Sequence, residues 1–329
     1  MHRVLVIGTG SIGERHVRCF LNTSRAIVGI CEINDKLRGE VATRYNISES
    51  FSALEDALKA NWDTAVVATP AHTHVPIALK LANAGINLLI EKPLSTSNEG
   101  IAELTEIITA KNLVAAVAYV YRAHPVLSAM KHALDSERFG KPLQIVGLYG
   151  QNLPFHRPAY RDTYYPNRSQ GGGAIQDALT HILNTCEWLV GPISQLCCDA
   201  EHKVLRGVEV EDTVHLMCRH GKVMGNYSLN QYQAPNEITI TVVCEKGTLQ
   251  FELHRNRWRW MTDPGNDWHD EDIQPMERDD WFILQENAFM DALEGKAKPL
   301  CTIEEAYQTL KVQLAAMESA DTQVHWRAV

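Results

Sequence analysis

A carboxylate and an imidazole stand four residues apart in the second half of this 329-residue sequence. Asp177 and His181 follow three consecutive glycines at 171–173, which predict the start of a helix. Residues i and i+4 project from the same side of a helix. The apolar residues fall on the other side: Ile175, Leu179, Ile182, Leu183, Cys186, Leu189 and Val190. Asp177 and His181 can therefore meet one ligand.

His181 is the side chain of this pair that suits proton transfer. Imidazole has an unperturbed pKa of about 6.5, so it can act as a general base near neutral pH. Asp177 would bind a neighbouring hydroxyl or tune the groups around it. Asn184 shares the polar face and could change the substrate preference. A helix pair that is merely exposed to water remains the alternative.

A lysine follows a candidate strand in the first half of the chain. Lys92 lies in the tripeptide Glu91-Lys92-Pro93, directly after the strand predicted at 87–90. Ligands of parallel α/β sheets bind at the carboxyl ends of the strands. A lysine there would hydrogen-bond a reacting oxygen and stabilise developing alkoxide charge. A tripeptide of this kind also occurs in solvated loops, so its meaning depends on its surroundings.

A glycine-rich turn stands near the N-terminus. Gly8, Gly10 and Gly13, with Ser11 and Ile12 between the last two, follow one strand and open a helix. This spacing admits a pyrophosphate to the helix N-terminus, where backbone N–H groups and the helix dipole bind it. A turn that only tightens strand-to-helix packing is the alternative.

Glu32 strengthens the dinucleotide interpretation. It ends the second predicted strand, where a carboxylate would bond the ribose hydroxyls of a dinucleotide. The same carboxylate would repel a 2′-phosphate, and residues 33–35 offer no arginine to accept one. NAD is therefore expected over NADP, although Glu32 could also be a solvated residue at a strand end.

The elements that must position these residues change in kind along the chain. Up to about residue 121 the strands at 4–7, 26–31, 64–68, 87–90 and 114–119 alternate with helical patterns, which predicts a parallel sheet with crossover helices. Thr96 and Glu99 have the spacing of a capping box for the helix that follows, and Gly85 is expected to end the preceding one.

Beyond residue 122 the pattern predicts a mostly antiparallel sheet. Its strands are expected at 143–148, 214–219, 223–229, 238–244 and 248–253, with helices at 282–293 and 303–320. We therefore expect an α/β fold with two domains, a Rossmann domain at 1–121 and an α+β domain at 122–329.

The composition excludes several classes of protein. The net charge is -9 without a lysine or arginine run, so nucleic acid is not an expected partner. The sequence lacks an apolar run of the roughly 20 residues that a membrane helix needs, and its eight cysteines lack zinc spacing. The chain opens directly on a strand, which leaves no space for a signal peptide. A cytoplasmic protein without structural metal is expected.

The ordered set of motifs resembles the Gfo/Idh/MocA family, the glucose-fructose oxidoreductase and inositol dehydrogenase group. The matching residues are the glycine turn at 8–13, Thr69-Pro70 with His74, Glu91-Lys92-Pro93, Arg122 with Pro125, and the segment 171–181. The resemblance covers essentially the whole chain. It implies an N-terminal Rossmann domain, a C-terminal α+β domain with a large open sheet, and an active site between them.

The resemblance and the residue types together define the expected site residues. Lys92, Asp177 and His181 are the expected catalytic residues. The expected cofactor-binding residues are Gly8, Gly10, Ser11, Ile12, Gly13, Glu32, Thr69, Pro70, His74, Glu91 and Lys92. The expected substrate-binding residues are Lys92, Arg122, Arg157, Tyr160, Arg161, Asp177 and His181. Leu179 and Asn184 depart from the family, which often has glycine and aspartate there.

A loop rich in arginine and tyrosine precedes the Asp177 helix. Residues 155–168 contain three arginines and three tyrosines, planar donors that suit carboxylate or phosphate recognition and stacking on a sugar or base. We expect Arg157 or Arg161 to contact a substrate with a negative group, such as a sugar acid or nucleotide sugar. The alternative is a surface loop in which Asp162 pairs with Arg157 or Arg161.

These observations predict an NAD-dependent oxidoreductase that moves a hydride between the nicotinamide and a secondary alcohol or ketone of a sugar, cyclitol or sugar derivative. An NAD-dependent hydrolase or lyase with transient oxidation would use the same residues. A non-catalytic NAD sensor is the third alternative. The apolar, β-branched strand at 237–244 and the family resemblance predict a homodimer or homotetramer.

Overall fold

The computed structural model describes residues 1–271 and 276–322, and the chain divides into two compact units. The first unit contains Met1–Ala123 and Glu277–Tyr307. The second contains the other described residues, from His124 to Met276 and from Gln308 onwards.

The first unit has a parallel sheet in the strand order β3-β2-β1-β4-β5-β6. Its strands are β1 (His2–Ile7), β2 (Ala26–Cys31), β3 (Ser50–Phe51), β4 (Thr64–Val67), β5 (Asn87–Ile90) and β6 (Ala115–Val117). Its connecting helices are α1 (Ser11–Asn22), α2 (Asp35–Arg44), α3 (Leu54–Ala57), α4 (His74–Asn83) and α5 (Ile101–Ala110). This is the Rossmann arrangement that the alternating pattern predicted. The central strands are apolar and buried because helices cover both faces of such a sheet.

Two helix ends in this unit test the local sequence rules. Gly85 follows α4 with a φ of 81°, which confirms the predicted glycine stop. The capping-box prediction at Thr96 and Glu99 is wrong, because α5 begins only at Ile101. Its N-cap is Gly100, with a φ of 73° and no side-chain hydrogen bond. The backbone at Gly100 is left-handed, and the spacing of Thr96 and Glu99 gives no sign of this conformation.

The second unit is built on a sheet in the order β14-β13-β12-β11-β7-β10-β9-β8. Strands β7 and β10 pair in parallel, and the other neighbours pair antiparallel. The strands are β7 (Pro142–Asn152), β8 (Gln195–Glu201), β9 (Thr213–His220), β10 (Val223–Asn230), β11 (Tyr232–Cys244), β12 (Gly247–Glu252), β13 (Arg257–Met261) and β14 (His269–Glu271). The mostly antiparallel prediction is confirmed, whereas β8, β13 and β14 were missed because polar residues interrupt their alternation.

One face of this sheet is covered, and the other carries exposed apolar side chains. Helix α6 (Pro125–Asp135) packs against β12 and β13, and α8 (Thr180–Val190) packs against β7. On the opposite face, Val146, Met217 and Met224 are exposed to 37%, 61% and 52%. The alternation of strand side chains therefore directs these three apolar side chains away from the covering helices.

A π-helical segment, Ile175–Leu179, joins directly onto α8. The short helix α7 (Leu153–His156) opens the loop that leads to it. The prediction of a regular α-helix directly after the glycines is therefore wrong for the first turn, where the backbone forms a wider π-helical turn. Asp177 belongs to the wider turn and His181 to the regular helix.

The C-terminal helices are α9 (Arg278–Leu293) and α10 (Ile303–Thr322). The sequence assigned all of 122–329 to the second domain, but the segment 277–307 groups with the first compact unit. Asp279 on α9 pairs with Arg15 and Arg18 on α1, and Asp291 pairs with Arg25. These long-range ion pairs have no local signal in the sequence.

In the described ranges 1–271 and 276–322, no helix is long and apolar enough to cross a membrane. Within the same ranges, His, Cys, Asp and Glu side chains do not gather into a group that could hold a metal ion.

Candidate active site

The glycine turn has the shape that a pyrophosphate requires. Gly8 has a φ of 81°, and a Cβ at Gly13 would collide with the Gly8 carbonyl, so both positions need glycine. A Cβ at Gly10 would meet no atom of the chain within 4 Å. Gly10 is also the N-cap of α1 and provides no side-chain cap, which leaves the first-turn N–H groups around Ser11 and Ile12 for a ligand.

Glu32 follows β2, as the sequence predicted, and its carboxylate lies against this turn. One carboxylate oxygen accepts the Thr9 backbone N–H at 2.8 Å, and the other accepts the Asn34 N–H at 2.9 Å. Glu32 is 9% exposed. A fixed carboxylate beside an open phosphate cradle fits a dinucleotide, because ribose hydroxyls can donate to it. NAD would be held here by the turn and Glu32, and when bound it would exchange a hydride with the substrate.

Arg38 is a neighbour of Glu32 that the sequence reasoning missed. Its guanidinium donates to the Glu32 backbone carbonyl at 2.9 Å and pairs with Asp35 at 2.7 Å. It stands six residues after Glu32, beyond the 33–35 window. One helical turn of α2 brings it back to the end of β2.

We expect the wild-type protein to bind NAD more tightly than NADP, and Glu32→Ala to narrow that preference by about tenfold, or about 1.4 kcal/mol. The variant loses the hydrogen bonds to the ribose hydroxyls, which weakens NAD binding. It also loses the repulsion of the 2′-phosphate, while the guanidinium of Arg38 stays available to NADP. Calorimetric titration of both cofactors measures this ratio. Glu40→Ala, an exposed carboxylate on α2, is the matched control. Equal affinities of the wild-type protein for NAD and NADP would contradict the assignment.

His74 is buried and braces two loops. Its Nδ1 lies 2.9 Å from the Pro93 carbonyl oxygen, and its Nε2 lies 2.8 Å from the Thr69 carbonyl oxygen. Burial lowers the pKa of His74. We therefore correct the expectation of direct cofactor contact for His74, since both ring nitrogens face backbone oxygens. It connects the Thr69-Pro70 loop to the residues after β5, and Thr69 itself bonds Thr73.

Glu91 is likewise buried and engaged inside the first unit. One carboxylate oxygen lies 2.8 Å from Nε2 of His16, and the other accepts the Lys92 backbone N–H at 2.9 Å. Direct cofactor binding by Glu91, as expected from the sequence, is therefore replaced by support of Lys92. His16 was missed because it lies on α1, 75 residues before its partner.

Lys92 follows Glu91 at the carboxyl end of β5, as predicted, and is partly exposed. The Lys92–Pro93 peptide bond is cis. Arg122, in contrast, is only 3% exposed and donates to Glu305 at 2.6 Å and to the Leu300 carbonyl at 2.9 Å. These contacts hold the segment at Leu300 and Glu305. We therefore correct the expectation that Arg122 binds the substrate.

In the second unit, Asp177 is buried and held by two donors. The Tyr164 hydroxyl donates to one carboxylate oxygen at 2.7 Å, and Arg157 donates to the other at 3.2 Å. Asp177 is 4% exposed, which contradicts the alternative of a solvated helix face. The Asp177 charge is the main reason that the pKa of Arg157 is raised above its ordinary value.

His181 is the second residue of α8 and is partly exposed. The last of the preceding glycines, Gly173, is explained by Glu211, whose carboxylate accepts the Ile175 N–H at 3.0 Å. A Cβ at Gly173 would press on that carboxylate. Glu211 thus fixes the first turn of the segment that carries Asp177 and His181.

Two further sequence assignments are corrected in this unit, those of Tyr160 and Asn184. Tyr160 is 2% exposed and its hydroxyl donates to the Arg206 carbonyl, so its polar atom is already used. Arg161 is exposed and stacks on the Tyr160 ring, with its guanidinium carbon 5.2 Å from the centroid, so substrate contact by Arg161 stays a prediction. Asn184 is fully buried and donates to Thr309 at 3.0 Å, so it does not share a solvent-facing surface with His181.

The first unit has a Rossmann sheet and a glycine turn with Glu32 beside it, and the second has the buried Asp177 four residues before His181. These features are typical of the nucleotide-dependent oxidoreductase class of protein. Residues 2–119 match an oxidoreductase family described as an NAD-binding Rossmann fold. Residues 127–250 match the GFO/IDH/MocA C-terminal domain. The chain belongs to the Gfo/Idh/MocA oxidoreductase family, which confirms the resemblance.

Curated relatives are sugar-acting enzymes by name. Levoglucosan dehydrogenase of Pseudarthrobacter phenanthrenivorans is 29% identical over 69% of this chain and 65% of its own length. UDP-N-acetylglucosamine 3-dehydrogenase of Acidithiobacillus ferrooxidans is 28% identical over 57% of this chain and 54% of its own. The matches thus cover between about half and two thirds of these relatives.

Solved structures share the fold over nearly the whole chain. Levoglucosan dehydrogenase in complex with NADH and levoglucosan gives a TM-score of 0.88 at 22% identity, covering 98% of both chains. The WlbA dehydrogenase of Bordetella pertussis, in complex with NADH and UDP-GlcNAcA, gives 0.84 at 24% identity, covering 98% of this chain and 97% of the other. At these identities the likeness supports the fold alone.

Proposed function

We propose that the protein is an NAD-dependent dehydrogenase acting on a secondary hydroxyl, or the corresponding ketone, of a sugar, cyclitol or sugar derivative. The observation that carries this is the buried Asp177 carboxylate, fixed by Arg157 and Tyr164 four residues before the partly exposed His181. Family membership and the Glu32-lined cradle support the same reaction type.

The proposed roles follow from side-chain chemistry. His181 accepts the hydroxyl proton of the substrate during oxidation and returns it in the reverse direction. Lys92 hydrogen-bonds the reacting oxygen and stabilises negative charge on it. Asp177 accepts a hydrogen bond from a neighbouring substrate hydroxyl, and its two donors keep the carboxylate in place.

The test is a screen for NADH absorbance with purified protein, NAD and a panel of cyclitols, anhydrosugars, sugar acids and nucleotide sugars. We expect NADH to accumulate with at least one class in proportion to substrate consumed. Substrate conversion with a constant NAD/NADH ratio would instead indicate a hydrolase or lyase with transient oxidation. NAD binding without conversion of any compound would favour the sensor interpretation.

We further propose that the substrate carries a negative group near Arg157, since this guanidinium is half exposed beside the buried Asp177. Arg157→Ala is expected to raise the Michaelis constant of an anionic substrate about tenfold more than that of its neutral analogue, the equivalent of about 1.4 kcal/mol. The neutral analogue controls for the lost support of Asp177. Arg161→Ala removes the neighbouring arginine, which stacks on the Tyr160 ring, and serves as the matched comparison for Arg157→Ala. Equal effects on both substrates would contradict anion recognition.

We also propose a homodimer or homotetramer that buries the exposed side chains of Val146, Met217 and Met224. Multi-angle light scattering at micromolar concentration is expected to give at least twice the chain mass of 36.9 kDa. Met217→Glu with Met224→Glu should shift the protein toward the monomer. A wild-type protein found only as a monomer would reject this proposal.

A further inference from the structure

A buried series of charged side chains leads to the Lys92 backbone in the first unit. Nδ1 of His16 is 2.7 Å from Glu286 on α9, and Nε2 of His16 is 2.8 Å from Glu91. Glu91 then accepts the Lys92 backbone N–H. His16 and Glu286 are fully buried and Glu91 is 5% exposed. Phe282 packs edge-on against the imidazole at 5.9 Å, which keeps this surrounding apolar.

Two carboxylates on one imidazole require two N–H donors. Burial by itself lowers the pKa of His16, but the charges and hydrogen bonds of Glu286 and Glu91 outweigh it and raise the pKa to about 10. Burial raises the pKa of Glu91, yet the hydrogen bond and charge of His16 leave it lowered overall. Burial also raises the pKa of Glu286. His16 is therefore a cation at neutral pH, and Glu91 is its carboxylate partner.

We propose that His16, anchored by Glu286, is a positioning residue for the reaction, because it keeps Glu91 an oriented carboxylate that fixes Lys92. This inference rests on the proposed function of Lys92. Both Glu91 oxygens are engaged, so the carboxylate has one orientation, and its position determines where the Lys92 peptide lies. The other titratable groups near the His16, Glu91 and Glu286 side chains are His74, Lys92 and Cys19.

His16→Gln tests the charge while it keeps an amide donor for Glu91. A buried carboxyl without a cation takes up a proton more readily. The acid limb of the kcat/KM profile is therefore expected to move upward by about one pH unit or more, while NAD affinity changes less than twofold. The double variant His16→Gln with Glu91→Gln should lack this shifted limb. Asp291→Asn, a carboxylate on the same helix that pairs with Arg25 at the surface, is the matched control and should behave as wild type.

An infrared titration separates this inference from the proposed function. As the pH of His16→Gln is lowered, the carbonyl band of protonated carboxyl groups should exceed that of the double variant by one carboxyl, that of Glu91, because Glu286 has lost the His16 cation in both variants. This readout needs no substrate, so it decides the inference even if the wild-type protein shows no turnover. An unshifted acid limb, or a His16→Gln spectrum identical to wild type, would overturn the proposal.

Two further measurements cover the case in which His16→Gln does not fold. Glu91→Gln has the shape of the protonated carboxyl and should lower kcat about tenfold or more through a misplaced Lys92. A kcat within twofold of wild type would overturn the proposal. In Glu286→Gln the pKa of His16 should fall by at least one unit, as measured by NMR of labelled histidine, and an unchanged value would remove Glu286 as the anchor.

Discussion

Lys92→Ala and His181→Ala are each expected to lower turnover by about a hundredfold or more, or about 2.7 kcal/mol of transition-state stabilisation. In the proposed mechanism, the first variant removes the group that stabilises the reacting oxygen, and the second removes the group that accepts the hydroxyl proton. Steady-state kinetics on the substrate found by the absorbance screen measures both. NAD affinity should survive, because the glycine turn and Glu32 are unchanged.

Surface residues of the same types provide the controls for these variants. Lys80→Ala removes a lysine that is 57% exposed, and His132→Ala removes an exposed histidine on α6. Both should keep wild-type turnover. Near-normal turnover of folded His181→Ala would show that another group accepts the proton, and the assignment of the base would then be wrong.

Gly10→Ala is expected to weaken NAD binding by about tenfold or more, or at least about 1.4 kcal/mol, without destabilising the ligand-free protein. The added methyl group meets no atom of the chain within 4 Å, so the fold accommodates it. The second glycine of such a turn lets the backbone approach the pyrophosphate closely, and a Cβ would occupy that space. Titration calorimetry and thermal unfolding of the ligand-free protein measure the two quantities.

Gly39→Ala is the matched control for this substitution. Gly39 is an exposed residue of α2, and a Cβ there also meets no atom within 4 Å. Alanine in a helix interior is expected to raise the free energy of unfolding by about 0.5–1 kcal/mol and to leave NAD binding unchanged. Unchanged NAD affinity in Gly10→Ala would mean that the dinucleotide does not approach this turn.

The pH dependence of stability offers a check on the buried His16. A histidine whose folded pKa is raised from 6.5 to about 10 stabilises the fold fully below pH 6.5, and the contribution is lost as the pH rises to about 10. The free energy of unfolding of the wild-type protein should therefore fall more steeply across this window than that of His16→Gln. This comparison uses the same variant as the infrared titration.

Local sequence patterns determined the parts of this protein whose chemistry is local. The glycine spacing from Gly8 to Gly13 fixes a turn because two of its positions tolerate no side chain. Alternating strands and helices specified the parallel sheet, and the sequence predicted that Glu32 stands at the end of the second strand. The ordered motifs identified the family, and with it the class of reaction.

The tertiary structure decided which polar residues are available to a ligand and which are already engaged. His74, Glu91 and Arg122 have residue types suited to binding, yet backbone carbonyls and buried ion pairs take up their polar atoms. Their partners lie on other elements or far away along the chain. The partner of Glu91, for example, is His16, which in turn pairs with Glu286, 270 residues further along the chain. Residue type and spacing describe a single element, whereas burial and partner choice depend on elements that only folding brings together.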